Sequence, residues 1–165
     1  MTKVSVPDKI GWYLTGFSDG EGSFNVSLRK KSDYKVGWQP VLSFNVSQRE
    51  QTILALMKRR FRCGIIKRRY DGLYSYDVTN PNAIQEKIIP FFEKYNFLSI
   101  NKKKNFSIFK IIVKLMTEKK HLNPKGFKQL LKLRESLNKG KGRKRKYTLD
   151  NVLESPETIR RVLIR

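Results

Sequence analysis

The apolar positions of the chain change period several times, and each change marks an element. Ile10, Tyr13, Leu14 and Phe17 recur at helical spacing behind Pro7, a residue suited to a first helical turn, and predict a helix over about 7–19. Gly20 and Gly22 are expected to end it. The next stretch alternates strictly: Phe24, Val26 and Leu28 take one face, and Asn25, Ser27 and Arg29 the other. The pentapeptide SFNVS at 23–27 recurs at 43–47. It is too short for a repeat architecture, but it says that two strands meet the same two environments. In the second, Leu42, Phe44 and Val46 are expected inside, and Gln39, Val41, Ser43 and Asn45 outside. The polar loop 31–37 joins the two strands as a long hairpin.

Ser47 and Glu50 have capping-box spacing and predict a helix over about 48–61, with Ile53, Leu54, Met57 and Phe61 on one side and Gly64 after it. A second hairpin, 65–69 and 73–78, turns at Asp71-Gly72. Tyr76 and Val78 point inward there, and Lys67, Arg69, Ser75 and Asp77 extend the outer face. Asn80-Pro81 supplies an N-cap and first helical residue. Ile84, Ile88 and Phe91 or Phe92 form that helix's core side, and Pro90 is expected to kink or split it. Another helix, 102–116, buries Phe106, Phe109, Val113 and Met116. Asn123-Pro124 opens the next, with Phe127, Leu130, Leu131 and Leu137 inside and its end near Gly140. A basic linker follows over 141–146, then a short helix after Ser155-Pro156, docked by Ile159, Val162 and Leu163. The fold class is therefore α+β: a four-stranded antiparallel sheet with helices on one face and a polar, basic face opposite. Residues 1–140 form the domain, and 141–165 a basic extension packed on or beside it.

Composition narrows the function. The 165 residues suit one domain with a sizeable core. A single Cys excludes a disulfide framework, and His121, without a partner of its kind, reads as a surface or capping residue rather than a zinc ligand. No apolar run approaches the roughly 18 residues of a membrane span. Residues 1–6 read as an arm without a signal-peptide core. The formal charge is +22, from 36 Lys and Arg against 14 acids. That points to a polyanion, nucleic acid before membrane. Compositional drift would scatter the charge, whereas it clusters at 29–31, 58–60, 67–69, 102–104 and 139–146. The outward Arg, Asn, Gln and Ser side chains are the types that read base edges, although an ordinary half-solvated sheet is also polar outside.

Candidate chemistry lies at Gly20-Glu21-Gly22. Glu21 falls at a helix C-terminus, where the dipole and unpaired carbonyls are negative. A cation would relieve this, and carboxylate plus carbonyl oxygen suits Mg²⁺ or Ca²⁺. By spacing alone, a capped helix turning into a strand is the commoner arrangement. An EF-hand loop is excluded, because Phe24 and Lys30 stand where Gly and Glu are required. A dinucleotide fingerprint is excluded because this Gly-x-Gly closes a helix instead of opening one.

The run LTGFSDGEGSF resembles the signature of the LAGLIDADG homing endonucleases. Leu14, Gly16, Asp19 and Gly22 stand at matching positions, and Glu21 conservatively replaces the final acid. Residues 119–140, KKHLNPKGFKQLLKLRESLNKG, resemble the family's closing helix, so the similarity spans about 10–140. The resemblance implies an αββαββα fold whose sheet saddles the DNA major groove, with added C-terminal helices. It implies a site-specific endonuclease of double-stranded DNA using Mg²⁺ or Mn²⁺ at Glu21 and the Gly20 carbonyl. DNA would face Asn25, Ser27, Arg29, Gln39, Ser43, Asn45, Lys67, Arg69, Ser75 and Asp77. Gln48 matches a water-ordering position. A lysine near the start of a later helix assists at the scissile phosphate; the register leaves Lys102 and Lys103 both open, and plain phosphate contact is an alternative. Asp19 reads as structural or water-ordering. Only one signature is present, which implies a homodimer pairing through Trp12, Tyr13, Thr15, Gly16 and Asp19 and cutting both strands of a pseudo-palindromic site. The family context implies an organelle-encoded protein, of mitochondrion or chloroplast, that promotes mobility of its intron. Two alternatives on the same scaffold stay open: a maturase that binds intron RNA, and a DNA-binding protein without catalysis.

Overall fold

The computed structural model describes residues 8–139 and 145–155. Pro7, most of the basic linker and the helix expected after Ser155-Pro156 lie outside the described residues. Helix α1 (Asp8–Glu21) runs into strand β1 (Gly22–Lys30), which pairs with β2 (Trp38–Gln48). Helix α2 (Thr52–Phe61) leads to β3 (Ile65–Arg68) and β4 (Tyr74–Val78). Then come α3 (Pro81–Ala83), a π turn (Ile84–Ile88), α4 (Ile89–Lys94), α5 (Ile100–Thr117), α6 (Pro124–Ser136) and α7 (Leu149–Leu153). The sheet is antiparallel in the order β1-β2-β4-β3.

The alternation of the sequence is the alternation of the sheet. Phe24, Val26, Leu42, Phe44, Val46, Tyr76 and Val78 are buried beneath the helices. The ring of Phe24 lies 5.0–6.0 Å from those of Phe44, Phe92, Phe97, Phe106 and Phe109. Each fully buried side chain of this size stabilises the fold by about 1.5–3 kcal/mol, so this cluster holds sheet and helices together. Both Phe91 and Phe92 are inside. A second cluster, separate from the first, joins Leu28, Val36 and Trp38 of the long hairpin to Phe127, Leu131 and Val152.

Some elements depart from the spacing-based expectation. The capping box at Ser47 and Glu50 does not form. Ser47 and Gln48 remain in β2, opposite Ser75 and Tyr74 of β4, and α2 begins only at Thr52. Pairing with β4 claims the residues that would have capped the helix. Pro90 does interrupt the regular helix, which divides into α3, a π turn and α4. It sits in the first turn of α4, and the π turn just before it absorbs the carbonyl that its ring and missing N–H leave unpaired. Asn80 and Asn123 do cap α3 and α6, accepting from the Ala83 and Gly126 N–H groups at 3.0 and 2.8 Å. His121 is a correction: it is buried in the 3₁₀ turn Lys120–Leu122, and that burial pushes its imidazole pKa down. Thr15 is another. It faces inward, with its hydroxyl donating to the Tyr95 carbonyl at 3.1 Å, and so is not on the exposed face of α1.

Candidate active site and nucleic-acid interface

Helix α1 becomes β1 without a linking residue, and this places Glu21 at the corner. Gly22 is needed there: a Cβ would lie 2.6 Å from the Ser18 carbonyl oxygen. Glu21 itself is exposed. The corner is held against the start of α5 by Asp19. Its carboxylate accepts from the Leu98 and Ser99 N–H groups at 3.1 and 3.0 Å and from the Ser99 hydroxyl. Ser99 is also the N-cap of α5, accepting from the Lys102 N–H at 3.3 Å. An acid at a helix N-terminus satisfies orphan donors and meets the positive end of the dipole. Partial burial alone would raise the Asp19 pKa, but the bonds from Ser99 and Leu98 and the charge of Lys102 carry it below the usual carboxylate value. Asp19 is therefore engaged within the chain, with the Leu98 and Ser99 donors on its carboxylate.

One turn into α5, Lys102 folds back across this joint and donates to the Gly22 carbonyl oxygen. Burial pushes the ammonium below the ordinary lysine pKa, while the charges of Asp19 and Glu21 oppose the shift. Lys103, the other lysine left open by the sequence, is exposed. Gln48, at the end of β2, is half-buried in an open groove of about 960 Å³ between α1 and α2, whose lining includes Tyr13, Phe17, Ile53 and Leu56. Along the exposed side of α1 run Trp12, Tyr13, Gly16 and Gly20; a Cβ on either glycine would meet nothing within 4 Å. Trp12 stays half-exposed with its ring on Tyr95, 5.6 Å away.

The sheet's outer face extends from this corner. Register places Asn25 opposite Ser43, Arg29 opposite Gln39, Asn45 opposite Asp77 and Lys67 opposite Ser75. Ser27 and Arg29 are exposed; Asn25, Gln39, Ser43 and Asn45 are half-buried. Ser75 and Asp77 share this face but are buried. The Ser75 hydroxyl donates to Asp77 at 3.0 Å, and Asp77 pairs with Lys67 at 2.9 Å, so these two hold Lys67 in place on this face. Arg69 lies just past β3, paired with Asp71 at 2.8 Å and within 3.5 Å of the Ser47 hydroxyl. Gln39 donates to the Tyr34 hydroxyl at 3.3 Å, and Asn25 to Ser23 at 3.0 Å. Leu98 and Ser99 support the corner, and neither was singled out in the sequence. Only Ser99 left a signal, as a cap-type residue one position before the helix.

The chain matches the model of the LAGLIDADG endonuclease family over residues 14–113. It is 35% identical over 145 residues to the probable intron-encoded endonuclease 2 of Neurospora crassa, covering 86% of this chain and 32% of that protein. Its fold matches the meganuclease I-SmaMI bound to uncleaveable DNA with a TM-score of 0.76 at 34% identity, over 81% of this chain and 46% of the other. I-SmaMI is also known bound to an uncleaved DNA target in the presence of calcium ions. The homing endonuclease I-TnaI matches with a TM-score of 0.78 at 27% identity, over 87% and 95% of the two chains. The chain belongs to the LAGLIDADG endonuclease family, and its α+β fold is the fold of those meganucleases. It spans about a third of the Neurospora relative and less than half of I-SmaMI.

Proposed function

We propose that this chain is a divalent-metal-dependent, site-specific endonuclease of double-stranded DNA that works as a homodimer. The observation that carries this reading is the corner. The exposed Glu21 carboxylate lies within electrostatic reach of the Lys102 ammonium, which is held on the Gly22 carbonyl beside the Asp19–Ser99 joint, at one end of a polar sheet in a chain of charge +22. Among the described residues no three His, Cys, Asp or Glu side chains gather to hold a metal ion. The donors present, the Glu21 carboxylate and the Gly20 carbonyl at the helix end, are hard oxygens that fit Mg²⁺ or Mn²⁺ and leave positions for phosphate oxygens and water. When bound, such an ion supplies Lewis acidity at the phosphodiester and favours ionisation of the attacking water. Lys102 brings a positive charge toward the negative charge that develops on the phosphate. Gln48 offers an amide donor and acceptor to a water. The outer face of the sheet supplies base contacts, led by Arg29, Ser27 and the Asn and Gln side chains.

One Glu21 serves one strand. The exposed stripe of Trp12, Tyr13, Gly16 and Gly20 supports pairing of two α1 helices, which would bring two such corners together. The intron-encoded relative supports a role in mobilising an intron of a mitochondrial or chloroplast genome.

The experiment is a cleavage and gel-shift pair on one target duplex, with and without chelator. Glu21→Gln is expected to abolish cleavage while binding persists, since it keeps the shape but removes the charge that holds the ion. Cleavage by this variant at the parent's rate, or by the parent in excess chelator, would remove Glu21 from the mechanism. Pairing is checked by sedimentation. The parent should be a dimer and Gly16→Leu a weaker one, because a bulky side chain on that open face keeps the helices apart. A monomeric parent that still cuts both strands would refute the homodimer.

A further inference from the structure

The long hairpin outreaches the rest of the sheet. Strand β4 pairs with β2 only from Phe44 to Gln48, while β1 and β2 stay paired out to Lys30 and Trp38. Beyond residue 44, counting back toward the tip, the sheet is therefore a two-stranded ribbon. Such a ribbon is marginal in water unless something covers an apolar face. This one carries Ser27, Arg29 and Gln39 on its outer side.

Its inner side is covered by the C-terminal segment 145–155 together with α6. Leu28, Val36 and Trp38 are buried against Phe127, Leu131 and Val152, with Tyr147, Leu149 and Leu153 around the margin. The Tyr147 ring packs edge-on to Trp38 at 4.8 Å, and the Trp38 indole N–H donates to the Ser155 hydroxyl at 3.4 Å. Arg134 is buried at the junction. Its Nε donates to the Val26 carbonyl and its Nη1 to the Tyr147 carbonyl, both at 2.8 Å. Arg145 returns the segment to α6 through Glu135 at 3.3 Å and the Leu137 carbonyl. None of these residues is on the outer face of the sheet, and none touches the Glu21–Asp19–Lys102 corner.

We infer that segment 145–155 is a positioning element for recognition. It fixes the attitude of the distal ribbon and so sets discrimination at the base pairs farthest from the cut, while the corner depends on the main core alone. The inference rests on the proposed reading of the sheet as the DNA-contacting face.

The test uses the full chain and compares Tyr147→Ala, Tyr147→Phe and Val152→Asp with the parent. Binding is measured on the target duplex, single-turnover cleavage at saturating protein, and cleavage preference at every base pair of the site. Tyr147→Ala and Val152→Asp are expected to weaken Kd about tenfold, the cost of loosening one base contact, and to flatten preference at the outermost base pairs. Their single-turnover rates should stay near the parent's. Tyr147→Phe, which keeps the ring on Trp38, should restore the parent profile. Preference unchanged at the outer base pairs in both disruptive variants, or flattened equally at all positions, would overturn the inference. Val152→Asp puts a charge in an apolar cluster; should it not fold, Tyr147→Ala at the cluster margin decides. Arg29→Ala separates the two levels. Outer preference lost there but intact in the brace variants refutes the brace alone, whereas preference intact in Arg29→Ala as well refutes the reading of the sheet.

Discussion

Strand β1 is held at its two ends by unlike means. At Gly22 the fixings are polar and few: the Asp19 carboxylate on the first turn of α5 and the Lys102 ammonium on a carbonyl oxygen. At Leu28 an apolar cluster is added, lent by α6 and by a segment more than a hundred residues away in sequence, with the Arg134–Val26 and Trp38–Ser155 hydrogen bonds at its edge. Hydrogen bonds and charges hold an atom in one geometry, and removing either partner leaves the other unsatisfied. An apolar cluster fixes an attitude and tolerates volume-conserving exchange. On the proposed function, the difference falls between the end that does the chemistry and the end that contacts bases. On that reading the cutting end rests on the joint between Asp19 and the start of α5, and exchanges in the distal cluster should retune recognition with little effect on it.

Substitutions at the joint sharpen this contrast most. Lys102→Met is expected to lower single-turnover cleavage by about 10²-fold or more, the usual cost of losing one charge-stabilising donor, with little change in base preference. Lys103→Met should leave the rate near the parent's and weaken binding alike for all sequences, more at low salt. Because burial pushes the Lys102 pKa down, its charge is lost at lower pH than that of an ordinary lysine. Cleavage that needs the ammonium should thus fall on the alkaline side sooner than lysine's usual titration, and the limb should vanish in Lys102→Met. Equal rate losses in the two variants would show that the folded-back lysine has no special part.

A smaller effect is expected from Asp19→Asn. The carboxylate's pKa is lowered in the folded chain, so between the folded value and the ordinary 3.8 the unfolded state binds more protons. Stability from this group is full above that window and is lost as the pH falls through it. Denaturant titrations should show Asp19→Asn about 1–2 kcal/mol less stable than the parent at neutral pH, in the range of a lost helix cap. The gap should narrow on acidification. A constant gap down to low pH would mean that Asp19 acts through packing and not through its charge.

Much of the fold was legible because it rests on local pattern. Phe24, Val26, Phe44 and Val46 alternate as buried strand residues must, and Asn80 and Asn123 sit where caps sit. What was not legible depends on partners remote in sequence. Nothing around Thr15 shows that Tyr95 will offer it a carbonyl, and nothing around His121 shows that helices will cover it. Ser47 and Glu50 have the spacing of a cap, and only the pairing with β4 keeps Ser47 in the strand. At the candidate site, Glu21 could be singled out from its two glycines. The choice between Lys102 and Lys103 could not, since it turns on which side of α5 meets Gly22.

If Glu21 marks the cut as proposed, the direct passage from α1 into β1 makes the molecule a ruler. From Glu21 to Arg29 the chain has neither loop nor bulge, and the register with β2 runs unbroken from Gly22 to Lys30. An extended strand advances about 3.4 Å per residue, nearly the step of about 3.4 Å between successive base pairs of B-DNA. On the proposed function, a strand lying along the groove would advance by about one residue per base pair. Adding one residue would turn every outward side chain under the sheet, so graduations on this scale come only in pairs. On the proposed function, the interval between the Glu21 corner and the base-contacting side chains is set in steps of the pleat, and a shifted target would call for new side chains on the same strand instead of a longer one.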